Sequence, residues 1–208
     1  MTDFIIQSVG MLEVNCMLVP VGKTLYIIDP GGDAAKIIKL AKSQDCSETI
    51  ILLTHAHVDH IGAVGAVATT LKAKAVYLHR NDHELYSSPA NCLRPWFPPA
   101  KNLPPPTHFV ENEDFSVIET PGHTQGCVCL YFKQFPALFV GDTIFAGSVG
   151  RTDLPGGNQE HLHSECSGSR GDDVTQFSRK GKIRVRKCEP RGRARVSAHP
   201  QSVPHRHT

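Results

Sequence analysis

Short apolar runs separated by glycine- and proline-bearing turns dominate the first 140 residues. Phe4 to Val9, Asn15 to Val19 and Thr24 to Asp29 read as three successive strands, punctuated by Gly10 and by Pro20-Val21-Gly22, and predict a meander opening. Asp29-Pro30-Gly31-Gly32-Asp33 then turns the chain. Asp33 is placed to cap a helix whose apolar positions Ile37, Ile38 and Ala41 fall at helical spacing. Ile50-Ile51-Leu52-Leu53 is apolar, rich in β-branched side chains, and predicts a short buried strand that stops at a polar cluster. Ile61 to Leu71 is small and apolar, and Gly62 and Gly65 are expected to let a helix lie close on a sheet; Ala75 to His79 is the next strand. Phe115 to Thr120, Cys127 to Phe132 and Ala137 to Val140 continue the strand pattern. Residues 95–106 hold six prolines in twelve positions, so this stretch is extended rather than helical. It reads as a packed loop crossing the sheet, or as a segment in which Trp96 and Phe97 wall a substrate pocket. The alternation of strands and helices predicts an α/β fold, with the polar cluster at a strand's carboxyl end, where open α/β sheets keep their sites.

That cluster is Thr54-His55-Ala56-His57-Val58-Asp59-His60, with three imidazoles and a carboxylate in six consecutive positions from His55. Neutral imidazole and carboxylate suit zinc, and also iron or manganese. On a loop leaving a strand, His55 and His57 can point the same way, while the bend into Ile61-Gly62-Ala63 turns Asp59 and His60 towards a second position. The plain alternative is a histidine-rich surface loop. Downstream, His123 lies in Thr120-Pro121-Gly122-His123-Thr124-Gln125-Gly126, where glycines on both sides allow a tight turn that can face the histidine back to the cluster. His79 and His83 belong to no dense group and read as surface or packing residues. Cys127 and Cys129 share a face by the strand period and read as buried packing.

At 208 residues the chain suits one domain with an appendage, and its composition is that of a globular protein. The net charge of +2 hides an asymmetry. Residues 1–160 hold 11 Lys+Arg against 16 Asp+Glu, a balance of −5, and residues 161–208 hold 11 against 4, a balance of +7. A shift that sharp marks a boundary at about residue 160. Cys16, Cys46, Cys92, Cys127, Cys129, Cys166 and Cys188 form an odd, scattered set without a Cys-x-x-Cys pair, which argues against a disulfide framework. With no Lys or Arg before Lys23 to supply the basic flank of a signal peptide, a cytoplasmic location is expected. No apolar stretch approaches the length of a membrane span.

The His-x-His-x-Asp-His motif after a strand resembles the metallo-β-lactamase-fold hydrolases. Thr-Pro-Gly-His-Thr-x-Gly at 120–126 and Gly150-Arg151-Thr152-Asp153 narrow the resemblance to the glyoxalase II-like, or hydroxyacylglutathione hydrolase-like, branch, over about residues 1–160. The resemblance implies an αββα sandwich of the metallo-β-lactamase type whose C-terminal part is incomplete or atypical. It implies one cation position formed by His55, His57 and His123, and a second by Asp59, His60 and Asp142, with Asp142 bridging. Asp29 is either a turn residue or, as the resemblance implies, a carboxylate orienting a ligand from behind. One or two Zn2+ are implied, with Fe or Mn as alternatives. The implied reaction is attack by metal-bound hydroxide on the carbonyl of a thioester such as hydroxyacyl-glutathione, with Asp59 as the catalytic group that orients the hydroxide. Arg151 is expected either to meet a substrate carboxylate or to pair with an acid such as Asp153. An iron-dependent persulfide dioxygenase is the alternative, with His55, His123 and Asp142 as its triad. A nucleic-acid phosphodiesterase ranks third, suggested by the basic tail and by relatives of the fold; the expected partner is a small-molecule thioester, without membrane.

From about His161 the likeness stops. The branch continues with a helix, a strand and a histidine in a Pro-Gly-His-Gly setting, and no such tetrapeptide occurs here. Residues 161–208 are expected to hold neither a helical apolar stripe nor a strand pair. They read as an idle disordered extension, as a binder of nucleic acid or another polyanion, or as the product of a slipped reading frame, the last being favoured because the change arrives where a core helix is expected. His199, His205 and His207 could replace the missing ligand, but nothing in their surroundings would hold them in place.

Overall fold

The computed structural model describes residues 4–93, 95–110, 112–134, 137–145, 148–166, 173–178 and 181–186, with side chains through residue 162. The opening meander is β1 (Ile5–Val9), β2 (Val14–Val21) and β3 (Thr24–Ile28), paired antiparallel. Helix α1 (Ala34–Lys42) crosses over to β4 (Glu48–Leu52), and α2 (Val58–Ile61) with α3 (Val64–Leu71) cross to β5 (Ala75–Tyr77). Both crossovers join parallel neighbours, which completes a five-stranded sheet in the order β1-β2-β3-β4-β5. After a single 3-10 turn at Arg80–Asp82 and α4 (His83–Ser87), the chain runs through the proline-rich segment to a second sheet. There β6 (Phe115–Glu119), β7 (Val128–Phe132) and β8 (Ala137–Phe139) are antiparallel. A two-stranded ribbon, β9 (Ile144–Phe145) and β10 (Ser148–Val149), and α5 (Gln159–Cys166) follow.

Strand parity decides the layering. On the first sheet Cys16, Leu18, Leu25, Ile27, Ile51 and Leu53 face one way and pack with Ile37 and Ala41 of α1 and Val64 and Val67 of α3. Their neighbours Met17, Val19, Tyr26, Ile28 and Leu52 face the other way, onto Phe115, Val128, Leu130, Phe132 and Phe139 of the second sheet. The period of two of a strand thus builds a helix layer on one side and a sheet-on-sheet core on the other. Cys129, Leu138, Val140 and Ile144 form a smaller cluster on the outer face of the second sheet. The α/β sandwich expected from the sequence is the architecture observed. Among the described residues no helix is long and apolar enough to cross a membrane.

Four local expectations are corrected. Pro20 lies inside β2 rather than in the turn; β1 pairs β2 only as far as Leu18, so the missing proline N–H falls where that edge has no partner in register. Asp33 stands at the start of α1 but its carboxylate accepts from Gly10 N–H at 2.9 Å instead of capping the helix. Gly62 and Gly65 do not bring a helix onto the sheet: a Cβ on Gly62 would meet the Gly31 carbonyl and one on Gly65 the Lys101 and Asn102 carbonyls, so both seat loops against the helix. Beyond residue 161 the structure has the strand pair that was not expected, β11 (Asp173–Ser178) and β12 (Gly181–Arg186), with β11 parallel to β8 in a second sheet ordered β12-β11-β8-β7-β6. Ile183 and Val185 alternate with Lys182, Arg184 and Arg186, a strand pattern that the run of positive charge obscured. Readings of residues 187–208, including His199, His205 and His207, lie outside the described residues.

Phe132 is fully buried and meets Tyr26, Phe115 and Phe139 at ring separations of 5.4 to 5.7 Å. Phe132→Ala is expected to cost about 3–5 kcal/mol, read as a lower urea midpoint at unchanged slope; a shift under 1 kcal/mol, the scale of a surface change, would contradict the inter-sheet core.

Candidate metal centre

The histidine loop leaves β4 at the edge where the two sheets meet. Thr54 is its anchor: its N–H and Oγ1 donate to the two oxygens of Asp29 at 2.8 and 2.6 Å, and its carbonyl accepts from Val128 N–H of β7. Asp29 itself follows β3 with φ of 49°, a left-handed conformation that aspartate tolerates, and is 1% exposed. It is therefore more than a turn residue. His60 Nδ1 also lies 3.0 Å from Asp29 Oδ2, so one buried carboxylate holds both ends of the motif.

These contacts place the Nδ1 proton on three of the rings. Thr54 Oγ1 gives its hydrogen to Asp29, so towards His55 Nδ1, 3.1 Å away, it can only accept. His55 therefore carries its hydrogen on Nδ1 and its lone pair on Nε2. His60 likewise donates from Nδ1 to Asp29. His123 Nδ1 donates to the Arg151 carbonyl at 2.6 Å, which leaves its Nε2 as a lone pair 2.8 Å from His57 Nδ1. The tautomers follow from the hydrogen-bond network. Nε2 of His55, His57 and His60 are buried without a hydrogen-bond partner. Buried polar atoms in that state are uncommon and point to a missing ligand.

One ligand atom from each of His55, His57 and His123 lies within 4.8 Å of the others, and the same holds for His55, His60 and Asp142. The first group is the one expected. In the second, His55 stands where Asp59 was expected: Asp59 Oδ2 is 3.9 Å from His60 Nε2, beside the cluster rather than within it. Asp142 reaches both groups, 3.4 Å from His60 Nε2 and 3.7 Å from His123 Nε2. It is presented by Gly141, which has φ of 50° and packs so closely on Thr54 that a Cβ would collide with the threonine side chain. The Arg151 guanidinium makes a two-pronged pair with Asp153 at 2.6 and 2.7 Å, and its backbone carbonyl accepts from His123 Nδ1. Trp96 is 66% exposed.

Charge favours a cation here. Burial, then the neighbouring imidazoles His60, His123 and His57, hold His55 well below the ordinary histidine range. Burial and His123 push His57 down to about 3, and burial lowers His123 against the pull of Asp142. All three are thus neutral, the form that binds metal. His60 runs the other way: burial lowers it, but the Asp142 and Asp29 carboxylates more than offset that and raise it well above its usual value. A proton between His60 and Asp142 marks a position that demands positive charge, so the donor set fits divalent metal.

Thr54, Asp82 and Asn91 were not singled out from the sequence, although all three grip the histidine loop. Thr54 adjoins the motif, which was the available signal; a lone acid and a lone amide in turns offer none.

The signature of the Metallo-beta-lactamase superfamily matches residues 9–185. The chain is 36% identical over 168 residues to a probable metallo-hydrolase, YqgX, of Bacillus subtilis, covering 75% of this chain and 78% of that one. It is 31% identical over 169 residues to the hydroxyacylglutathione hydrolase GloC of Haemophilus influenzae, covering 76% and 80%. Among solved structures, the BLEG-1 B3 metallo-beta-lactamase superposes with a TM-score of 0.73 at 34% identity over 88% of this chain and 94% of that one. TTHA1623 in a di-iron-bound form gives 0.68 at 36% identity over 77% and 82%. The chain belongs to the metallo-beta-lactamase superfamily, and in class it is a metal-dependent hydrolase.

His55→Ala or His57→Ala is expected to abolish metal at the first position, because two remaining ligands cannot hold an open tetrahedral site; metal per chain by elemental analysis checks this, and undiminished content would contradict the assignment. Acid should also destabilise the chelator-treated protein. Histidines depressed in the folded state contribute stability that is present above the unfolded value near 6.5 and is lost as pH falls towards about 3, where His57 titrates. His60, raised in the folded state, acts with opposite sign, its contribution being lost as pH rises, but it stands against three. The melting temperature should fall across that acid window, and a flat profile would contradict the neutral buried imidazoles.

Proposed function

We propose that the chain is a metal-dependent thioesterase acting on thioesters such as hydroxyacyl-glutathione. The observation that carries this reading is the buried convergence of His55, His57, His123, His60 and Asp142, with the first three imidazoles neutral and Nε2 of His55 and His57 buried without a hydrogen-bond partner. The likeness to a hydroxyacylglutathione hydrolase supports the substrate class. When bound, divalent cations lower the pKa of water to about 7 and polarise a carbonyl oxygen. The protein's own part is orientation: Asp29 and Thr54 fix which nitrogens face the cluster, Asp142 reaches both ligand groups as a bridging carboxylate would, and Asp59, beside His60, orients the attacking water. A thioester suits such a site because its thiolate leaves without needing much protonation.

A persulfide dioxygenase is the second reading. Two histidines and a carboxylate are the ligand class of non-haem iron oxygenases, and of the triad expected for one, His55 and Asp142 share a group with His60 in the place of His123. Zinc is the first expectation, with iron or manganese as alternatives. The test is to express the chain, measure metal per chain, and assay both thioester cleavage and oxygen uptake. Hydrolysis with zinc, at nearer one than two ions per chain, is expected. Oxygen uptake with a single iron and no hydrolysis would replace the first reading by the second. For Arg151 as a substrate-carboxylate contact, Arg151→Lys should raise KM for an acidic thioester; an unchanged KM would leave it as the partner of Asp153 alone.

A further inference from the structure

We propose that Asp82 is the positioning residue that sets the spacing of the two histidine loops, and so the metal affinity of the His55–His57–His123 group. The inference rests on the metal-centre reading above. Asp82 ends the 3-10 turn after β5, is 1% exposed, and accepts its hydrogen bonds from loop groups beside the ligands rather than from the ligand rings. Its Oδ2 accepts from Ala56 N–H at 3.0 Å, between His55 and His57. The same oxygen accepts from Thr124 Oγ1 at 2.7 Å, and Oδ1 accepts from Gly126 N–H at 2.7 Å, both in the loop that carries His123. One carboxylate therefore joins two loops that are distant in sequence. Gly126 comes so close that a Cβ there would lie 2.7 Å from the Asp82 carboxyl carbon, which leaves the link no slack. Asn91 completes the grip, donating to the Ala56 carbonyl at 2.7 Å, so both polar groups of the residue between the two histidines are held by side chains.

The bonding pattern requires a carboxylate. Asparagine offers one acceptor oxygen: placed towards Gly126 it turns its NH2 against the Ala56 N–H, and placed towards Ala56 it turns it against the Gly126 N–H. Either orientation sets donor against donor at one loop. Groups that orient metal ligands without touching the metal typically carry about 10- to 100-fold in affinity.

The test compares the full-length wild type with Asp82→Asn, Thr124→Val and Asp114→Asn. Affinity for Zn2+ and Co2+ is read by competition with a chromophoric chelator, ligand geometry by the visible bands of the Co2+ form, and thermal unfolding on the metal-free protein. Asp114 is the control: it accepts from Tyr26 Oη at 2.7 Å at the start of β6, whereas the His123 loop lies past the other end of that strand. Asp82→Asn should weaken binding about 10- to 100-fold and shift the Co2+ bands. Thr124→Val, which removes one of the three bonds and remains informative if Asp82→Asn does not fold, should cost about 2- to 10-fold. Asp114→Asn should lower stability without either change. Wild-type affinity and spectrum in both Asp82→Asn and Thr124→Val, or an equal loss in Asp114→Asn, would overturn the role of Asp82 while leaving the metal centre standing. A wild type that takes up neither ion would overturn the metal centre and this inference with it.

Discussion

Everything at this site depends on one buried carboxylate doing three jobs. Asp29 takes the N–H and hydroxyl of Thr54 and the Nδ1 hydrogen of His60, and through the Thr54 hydroxyl it also determines the tautomer of His55. An uncompensated carboxylate at 1% exposure would be costly. Its donors offset that cost, and they are the groups that must be immobile if two imidazoles are to present lone pairs to one point. The left-handed backbone at Asp29 lets a residue just past a strand turn its side chain back under the neighbouring strand end.

The sandwich supplies the rest of the geometry. The first sheet contributes Asp29 after β3 and the histidine loop after β4; the second contributes His123 after β6 and Asp142 after β8. Since the ligands come from both sheets, their separation is set by the inter-sheet core, where Tyr26, Phe115, Phe132 and Phe139 pack edge-on or tilted, and by the Val128 to Thr54 hydrogen bond at its rim. Close-packed interiors transmit displacement rather than absorbing it. A void beneath these rings would therefore be felt at the histidines as well as in overall stability.

Much of this was legible in the sequence because it is written in local pattern. Continuous apolar runs such as Cys16 to Val19 and Leu25 to Ile28 announce strands buried on both faces, and the density of ligands from His55 to His60 announces the centre. What stayed hidden was non-local. Asp82 is an ordinary acid in a turn until the fold brings it against Ala56 and Gly126. Asp33 has the look of a helix cap, but the Gly10 amide competes for its carboxylate and wins. Gly65 suggested helix against sheet, and its neighbour proved to be the loop at Lys101 and Asn102. Arg151 drew notice for its charge, yet it is the carbonyl, common to every residue, that orients His123.

The protonation pattern ties metal binding to proton release. His55, His57 and His123 are held neutral, so a cation bound among them has no excess ring proton to displace. His60 is different: Asp29 and Asp142 keep it protonated, and the hydrogen facing Asp142 occupies the place that a cation shared by those two residues would take. On the proposed metal-centre reading, a cation shared by His60 and Asp142 would have to displace that proton, which one bound by the neutral imidazoles would not. The two ligand groups thus differ in their proton content because one carboxylate, Asp29, bonds directly to His60 and reaches His55 only through the Thr54 hydroxyl.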